Sequence, residues 1–260
     1  MSRRAGSRLL AGLATLLALL AVGGGIARGE SWGGRWHPAL PADRSATPLG
    51  TPIQAPAGAG GYRLLHTQDD GTRRPVAWDP CRPIHYVIRT QGDPAGGQGA
   101  IDWAIARMSA VTGLHLVDDG VTQEVPRPDR PAADRQRYGQ RWSPVLIAWT
   151  DGREYPGIEK YAALGGPVTV DGAVSGQRRY VSGVVLLNRA YLTQVAARSD
   201  GRRLLRAVML HELGHLVGLD HSEGADSLMS PRPGVTAFDL GPGDLRGLAY
   251  LSRGPCYSDF

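Results

Sequence analysis

One stretch, residues 211–221, constrains this chain more than any other feature of its sequence. It combines three histidines with a glutamate and a glycine in the order His211, Glu212, His215, Gly218, His221. Four residues advance about 400° around a helix, so His211 and His215 lie on one helical face. Gly218 can take the left-handed conformation that ends a helix, and the chain can then bring His221 towards the other two.

This arrangement predicts a zinc site. Three imidazoles occupy three corners of a tetrahedral centre and leave the fourth open for water, as a catalytic zinc requires. Glu212 lies beside two of the ligands and is not needed as one, so it is the candidate general base for that water. The helix is predicted over residues 202–217, which contain no proline and a single glycine, Gly214.

Net charge gives no reason to expect a nucleic-acid partner. The chain has 29 basic and 24 acidic residues. Four of the arginines and no acidic residue lie within residues 1–29, so the remainder of the chain contains 25 basic and 24 acidic residues. A nearly neutral body lacks the basic surface that nucleic-acid binding needs. The 36 glycines and 19 prolines predict long loops.

The N-terminal region predicts export. Arg3, Arg4 and Arg8 precede an apolar run over residues 9–22, and small residues follow. Residues 1–28 are therefore interpreted as a signal peptide, with an uncleaved membrane anchor as the alternative. Residues 29–75 are rich in Pro and Gly and are interpreted as a linker, and residues 76–260 as the folded domain.

The two cysteines, Cys81 and Cys256, fit an oxidising compartment. Cys81 precedes the first convincing strand and Cys256 lies close to the C-terminus. A bond between them would tie together the two ends of the domain.

Apolar periodicity indicates alternating strands and helices within the domain. Strands are predicted at 84–88, 114–117, 144–149, 168–170, 179–181 and 184–188, with the run at 144–149 central and buried on both faces. Helices are predicted at 100–111, 202–217 and 243–252, the last with Asp244 near its N-terminus, where a negative charge suits the helix dipole. The residues after 117, through Arg141, are predicted to form an exposed loop.

The extended histidine motif, together with His221-Ser222 and Leu228-Met229-Ser230-Pro231, resembles the metzincin clan and, within it, the matrixin (matrix metalloprotease) family in a minimal, bacterial-type form. Matrixins have tyrosine where this chain has Ser230. The resemblance implies an α+β domain with a twisted, mixed five-stranded sheet and three helices. It also implies that His211, His215 and His221 bind one catalytic zinc, that Glu212 activates the water and protonates the leaving amine, and that Met229 lies beneath the metal.

The same resemblance implies further features. Val184 and its neighbours would form the edge strand that pairs with an extended peptide, and residues 231–239 one wall of the pocket after the scissile bond. The second, structural zinc of matrixins is not expected, because residues 151–183 contain no histidine. Calcium is a candidate second ion, with ligands from Asp151, Glu154, Glu159 or Asp171. In an alternative to the disulfide, Cys81 would cap the zinc as a latency switch.

The sequence therefore predicts a secreted, monomeric zinc endopeptidase that acts on proteins or peptides, with contact to the membrane only through an uncleaved N-terminal segment. Two alternatives remain open. One is a catalytically silent zinc domain used for binding or surface display, and the other is a processing protease with a single partner substrate.

Overall fold

The computed structural model describes residue 38 and residues 41–58, 60–172, 176–224, 226–231 and 237–258. The predicted signal peptide or anchor, residues 1–28, lies outside this range. No helix within the described range is long and apolar enough to cross a membrane. The strands are β1 (Arg63–Leu64), β2 (Ile84–Arg89), β3 (Leu116–Val121), β4 (Val145–Thr150), β5 (Ala163–Asp171), β6 (Arg178–Asn188) and β7 (Leu219–Asp220). The helices are α1 (Gly97–Thr112), α2 (Arg135–Tyr138), α3 (Arg189–Ala196), α4 (Gly201–Val217) and α5 (Pro242–Leu251).

A mixed five-stranded sheet of order β3-β2-β4-β6-β5 organises the molecule. β2, β3, β4 and β6 run parallel to one another, and β5 is antiparallel to β6. β4 is central and fully buried, as predicted for residues 144–149, because both of its faces meet apolar layers. Ile147 and Trp149 belong to the main core with α1 and α4, whereas Leu146 and Ala148 join a second cluster on the other face. The α+β prediction is confirmed.

The region before α4 differs from the prediction. Three short strands were expected at 168–170, 179–181 and 184–188, but the chain forms one long hairpin of β5 and β6. Glycines that indicated breaks lie inside these strands instead. A Cβ on Gly183 would meet Leu216 Cδ1 of α4 at 2.4 Å, so this glycine lets the helix pack closely on the sheet.

The position of the edge strand was also predicted wrongly. Val184 lies on β6, which is flanked by β4 and β5, and β5 forms the sheet edge on that side. Strand order depends on pairings between distant segments, which apolar periodicity does not encode.

The stretch between β3 and β4 is less exposed than predicted. β3 begins two residues later than expected and extends to Val121. Arg130 and Glu124 are buried and paired, with Arg130 Nε 2.8 Å from Glu124 Oε1. Arg130 also donates to the carbonyl of Pro144 at 2.7 Å, directly before β4. The polar composition indicated a solvated loop, but these charges satisfy one another inside the protein.

The predicted linker, residues 29–75, packs on the domain over its described part. The amide of Leu49 donates to Pro80 O at 2.9 Å and that of Ile53 to Val111 O at 3.0 Å. A Cβ on Gly50 would lie 2.4 Å from Gly113 O, so glycine permits close approach of the two backbones here. Residues 63 and 64 then pair as β1 with β7. The glycine-rich composition that indicated a flexible linker therefore allows the backbone of this segment to pack closely on the domain.

A disulfide joins Cys81 to Cys256 across a sequence separation of 175 residues. It fastens the segment before β2 to the chain after α5. The alternative in which Cys81 caps the metal would need a free thiol, and the Cys81 sulfur is committed to this bond.

We expect replacement of both cysteines by serine to lower the free energy of unfolding by about 2–5 kcal/mol, because the bond restricts a very long loop in the unfolded chain. Urea unfolding of the double variant and of the oxidised wild type measures the difference in free energy. Reduction of the wild type should produce the same loss. An unchanged unfolding midpoint in both experiments would contradict the stabilising role.

Candidate metal centre

The three motif histidines converge on one point. His211 and His215 lie on α4, which ends at Val217, and Gly218 turns the chain with φ +121°. β7 follows and leads directly to His221. The Nε2 atoms of His211 and His215 are 3.1 Å apart, those of His215 and His221 3.2 Å, and those of His211 and His221 3.3 Å.

These distances fit a tetrahedral zinc ion. Metal–nitrogen bonds of about 2.0–2.1 Å at tetrahedral angles separate ligand nitrogens by about 3.3–3.4 Å. The other ring nitrogens are also arranged for this role. His211 Nδ1 donates to Leu228 O at 2.7 Å and His215 Nδ1 to Leu219 O at 2.8 Å. Since a carbonyl only accepts, the proton of each neutral ring is on Nδ1, and the Nε2 lone pairs face one another.

Burial keeps the histidines neutral. It lowers the pKa of His211 to about 4, and it also lowers the pKa values of His215 and His221. Three uncharged nitrogens with converging lone pairs favour a cation between them. Among the described residues, the other group of three candidate ligands is Asp79 with Cys81 and Cys256, whose sulfurs form the disulfide.

Glu212 lies on α4 and is adjacent to Gly165 of the edge strand β5. The residue is only 7% exposed, and burial raises its pKa to about 8, an effect that the Gly165 backbone amide opposes. A Cβ on Gly165 would lie 2.6 Å from Glu212 O and 2.9 Å from Glu212 Oε2. Gly165 therefore allows β5 to approach the glutamate, a role that sequence analysis missed because it interpreted this glycine only as a loop signal.

Met229 packs against α4 at Gly214, between the positions of the two helical histidines. The residue is 1% exposed, and a Cβ on Gly214 would lie 2.6 Å from the Met229 sulfur. Gly214, which lies between Glu212 and His215 in the chain, thus leaves the space that the Met229 side chain occupies. The turn around Met229 is held by a bond from its amide to Ser227 Oγ at 3.1 Å and by one from the Ser222 amide to its carbonyl at 3.1 Å.

Asp244 connects α5 to this turn. It is fully buried and accepts three hydrogen bonds: from Ser227 Oγ at 2.6 Å, from the Leu228 amide at 2.7 Å and from the Gly241 amide at 2.9 Å. Leu228 in turn offers its carbonyl to His211. The position of Asp244 in the sequence indicates only an interaction with the dipole of α5, because its contacts with residues 227 and 228 arise in the tertiary structure.

The remaining predicted residues have other partners or fall partly outside the described range. Of the expected pocket wall at 231–239, residues 232–236 lie outside that range; Phe238 lies against the Arg203 guanidinium at 3.7 Å, and Asp239 pairs with Arg107 at 3.0 Å. Among the calcium candidates, Asp151 pairs with Arg189 and Glu154 with Arg89. These two carboxylates already neutralise arginines.

We expect zinc binding at about pH 6.5 to release about one proton per ion, because Glu212 is protonated in the metal-free protein and a nearby cation lowers its pKa. The histidines contribute little, since burial already depresses their pKa values. Calorimetry in buffers of different ionisation enthalpy measures the release, and Glu212→Gln should abolish most of it. Proton release that persists in Glu212→Gln and increases as the pH is lowered would show that the histidines are charged before the metal binds, because ionisation of a zinc-bound water increases as the pH is raised.

Comparison with known proteins finds a likeness to one family over part of the chain. Residues 149–252 match the family model described as Matrixin. A stretch of 78 residues is 40% identical to matrilysin of Felis catus and covers 28% of this chain. The chain spans only 30% of that relative's length.

Proposed function

We propose that this chain, which contains a matrixin-like metzincin domain, is an exported zinc-dependent endopeptidase. The observation that carries the proposal is the triangle of Nε2 atoms at 3.1–3.3 Å, with each ring on α4 oriented by a backbone carbonyl, and a buried glutamate next to it in the chain. A metal site used only for structure has no need of an unligated acid at that position.

Each residue has a separate task in the reaction. His211, His215 and His221 would hold the zinc, which when bound polarises the scissile carbonyl as a Lewis acid. Glu212 accepts a proton from the attacking water and passes it to the leaving amine. Met229 fills the space against Gly214, so the ligand helix keeps its position during turnover.

Within the described part of the chain, the edge of β5 that faces away from β6 has no strand partner, which supports binding of an extended peptide. The Asn188 amide donates to Ala162 O at 3.0 Å, so residue 162 faces β6, and residues 163 and 165 point to the free edge by strand alternation. Gly165 lies beside Glu212, since a Cβ on this residue would be 2.9 Å from Glu212 Oε2. A substrate that adds as a strand beside β5 therefore passes the general base. β5 takes the place that sequence analysis assigned to Val184.

The proposal includes a location outside the cytoplasm. It is supported by the charged and apolar pattern of residues 1–28 and by the disulfide, which persists in oxidising compartments. Cleavage of the N-terminal segment gives a secreted monomer, and retention gives a protein anchored on the outer face of the membrane. N-terminal sequencing of the protein recovered from culture medium or membranes distinguishes them.

The test of the function is cleavage-site profiling of the zinc-loaded protein on a proteome-derived peptide library, with and without a chelator. We expect cleavage that the chelator abolishes and that zinc restores. A broad set of products indicates a general endopeptidase, and a narrow one a processing protease. A protein that binds zinc tightly and cleaves no peptide would be the silent binding domain instead.

Gly165→Ala should lower kcat by about 100-fold, because the new methyl group displaces the edge strand or Glu212 by the order of 1 Å. Gly99→Ala on α1 is the matched control, since a Cβ there has no neighbour within 4 Å. Steady-state assays on a cleaved peptide compare the two, with zinc content measured in parallel. Equal activity of the variants would show that β5 does not position the glutamate.

A further inference from the structure

We propose that the segment Arg63–Leu65, which precedes the predicted domain boundary, is a positioning element for the metal ligands His215 and His221. The inference rests on the proposed zinc site, and it adds part of the predicted linker to that site. Trimming of the N-terminal region would then preserve the metal centre only if the cut falls before Arg63.

The segment contacts the chain between two ligands. The Leu65 amide donates to Gly218 O at 2.8 Å, and Leu64 pairs with Leu219 and Arg63 with Asp220 in an antiparallel register. β7 is therefore held by β1 through its main chain, and within the described residues β1 is its strand partner.

Both ends of β7 touch a ligand. Leu219 O accepts the bond from His215 Nδ1 at 2.8 Å, which orients that imidazole. Asp220 Oδ1 accepts the His221 amide at 2.8 Å, directly at the third ligand. A shift of β7 would therefore move the hydrogen-bond acceptor of His215 and the backbone of His221 together.

β7 needs this external support because of its local sequence. α4 ends at Val217, and the next residue is Gly218, which adopts φ +121°. Fixing a glycine backbone in one conformation costs more entropy than fixing that of any other residue. β1 is itself anchored on both sides. On one side, the Tyr62 ring packs against Gly247 of α5, where an added Cβ would lie 2.8 Å from Tyr62 Cγ. On the other side, His66 Nδ1 is 3.1 Å from Tyr180 Oη.

The main chain, rather than charge, carries the effect. The Arg63–Asp220 pair is 3.8 Å apart, and the Arg63 side chain is 71% exposed, so solvent screens it. Arg63→Ala should accordingly leave zinc affinity within about twofold of wild type.

The experiment compares Leu65→Pro, which removes the amide that donates to Gly218 O, with Leu65→Ala, which keeps it. Zinc dissociation constants come from chelator competition on the full chain, and Co²⁺ absorption spectra report ligand geometry. We expect Leu65→Pro to weaken zinc binding about 10- to 100-fold, as loss of outer-shell support typically does, and to alter the Co²⁺ spectrum. Leu65→Ala should resemble the wild type. Equal zinc affinity of the two variants would overturn the inference.

Hydrogen exchange on the wild type provides a measurement that does not depend on a variant that folds. Coupling between sites is reciprocal, so zinc should slow exchange of the Leu65 amide as well as those of residues 219–221. Protection confined to residues 219–221 would overturn the inference. If the wild type did not bind zinc at all, the proposed function would be wrong instead. Failure of the inference is therefore distinguishable from failure of the proposed function.

Discussion

Glu212→Gln should reduce kcat for peptide hydrolysis by about 10²- to 10⁴-fold, the contribution typical of a general base. The amide has nearly the shape of the carboxylic acid but cannot accept the proton of the attacking water. The Nε2 triangle and its backbone acceptors do not involve the Glu212 side chain, so zinc should remain bound.

The measurement is steady-state hydrolysis of a peptide from the library, with zinc content determined on the same samples. Glu159→Gln is the matched control, because that carboxylate is exposed and its described contact is with the Gly157 amide. If Glu212→Gln retained activity within a few-fold of wild type, another group would have to act as base.

Asp244→Ala should lower the free energy of unfolding by about 3 kcal/mol or more, since each buried donor left without an acceptor costs about 1–3 kcal/mol. Three donors depend on this carboxylate: Ser227 Oγ and the amides of Leu228 and Gly241. Zinc affinity should fall about tenfold or more, because the displaced Leu228 carbonyl no longer orients His211.

Urea unfolding with and without zinc separates the two effects of this substitution. Asp129→Ala serves as the control for loss of an acid, because the Asp129 side chain is 83% exposed. Stability and zinc affinity both equal to those of the control would show that α5 does not support the turn around Met229.

Some of the site could be predicted because its geometry is local. The spacing of His211 and His215 places them on one face of any helix, and Gly218 is suited to end that helix wherever it packs. The burial of β4 followed equally directly from an uninterrupted apolar run. For such features the chain's own periodicity contains the answer.

Other parts depend on segments that are far apart in the chain. Gly165 is significant only because β5 lies at the sheet edge beside α4, and strand order arises from pairing rather than from composition. The glycines of the β5–β6 hairpin permit close packing, although the same residue type usually marks loops.

The sequence by itself determined the candidate ligand set and the candidate base, because three histidines and a glutamate at these spacings need only one helix and one turn to meet. The tertiary structure alone decided which strand lies beside Glu212 and what holds the turn around Met229. It also decided that residues 63–65 pair with the strand that precedes His221. Those contacts join residues separated by up to 157 positions, as for Arg63 and Asp220, and their energies depend on burial and main-chain pairing that appear only when the chain has folded.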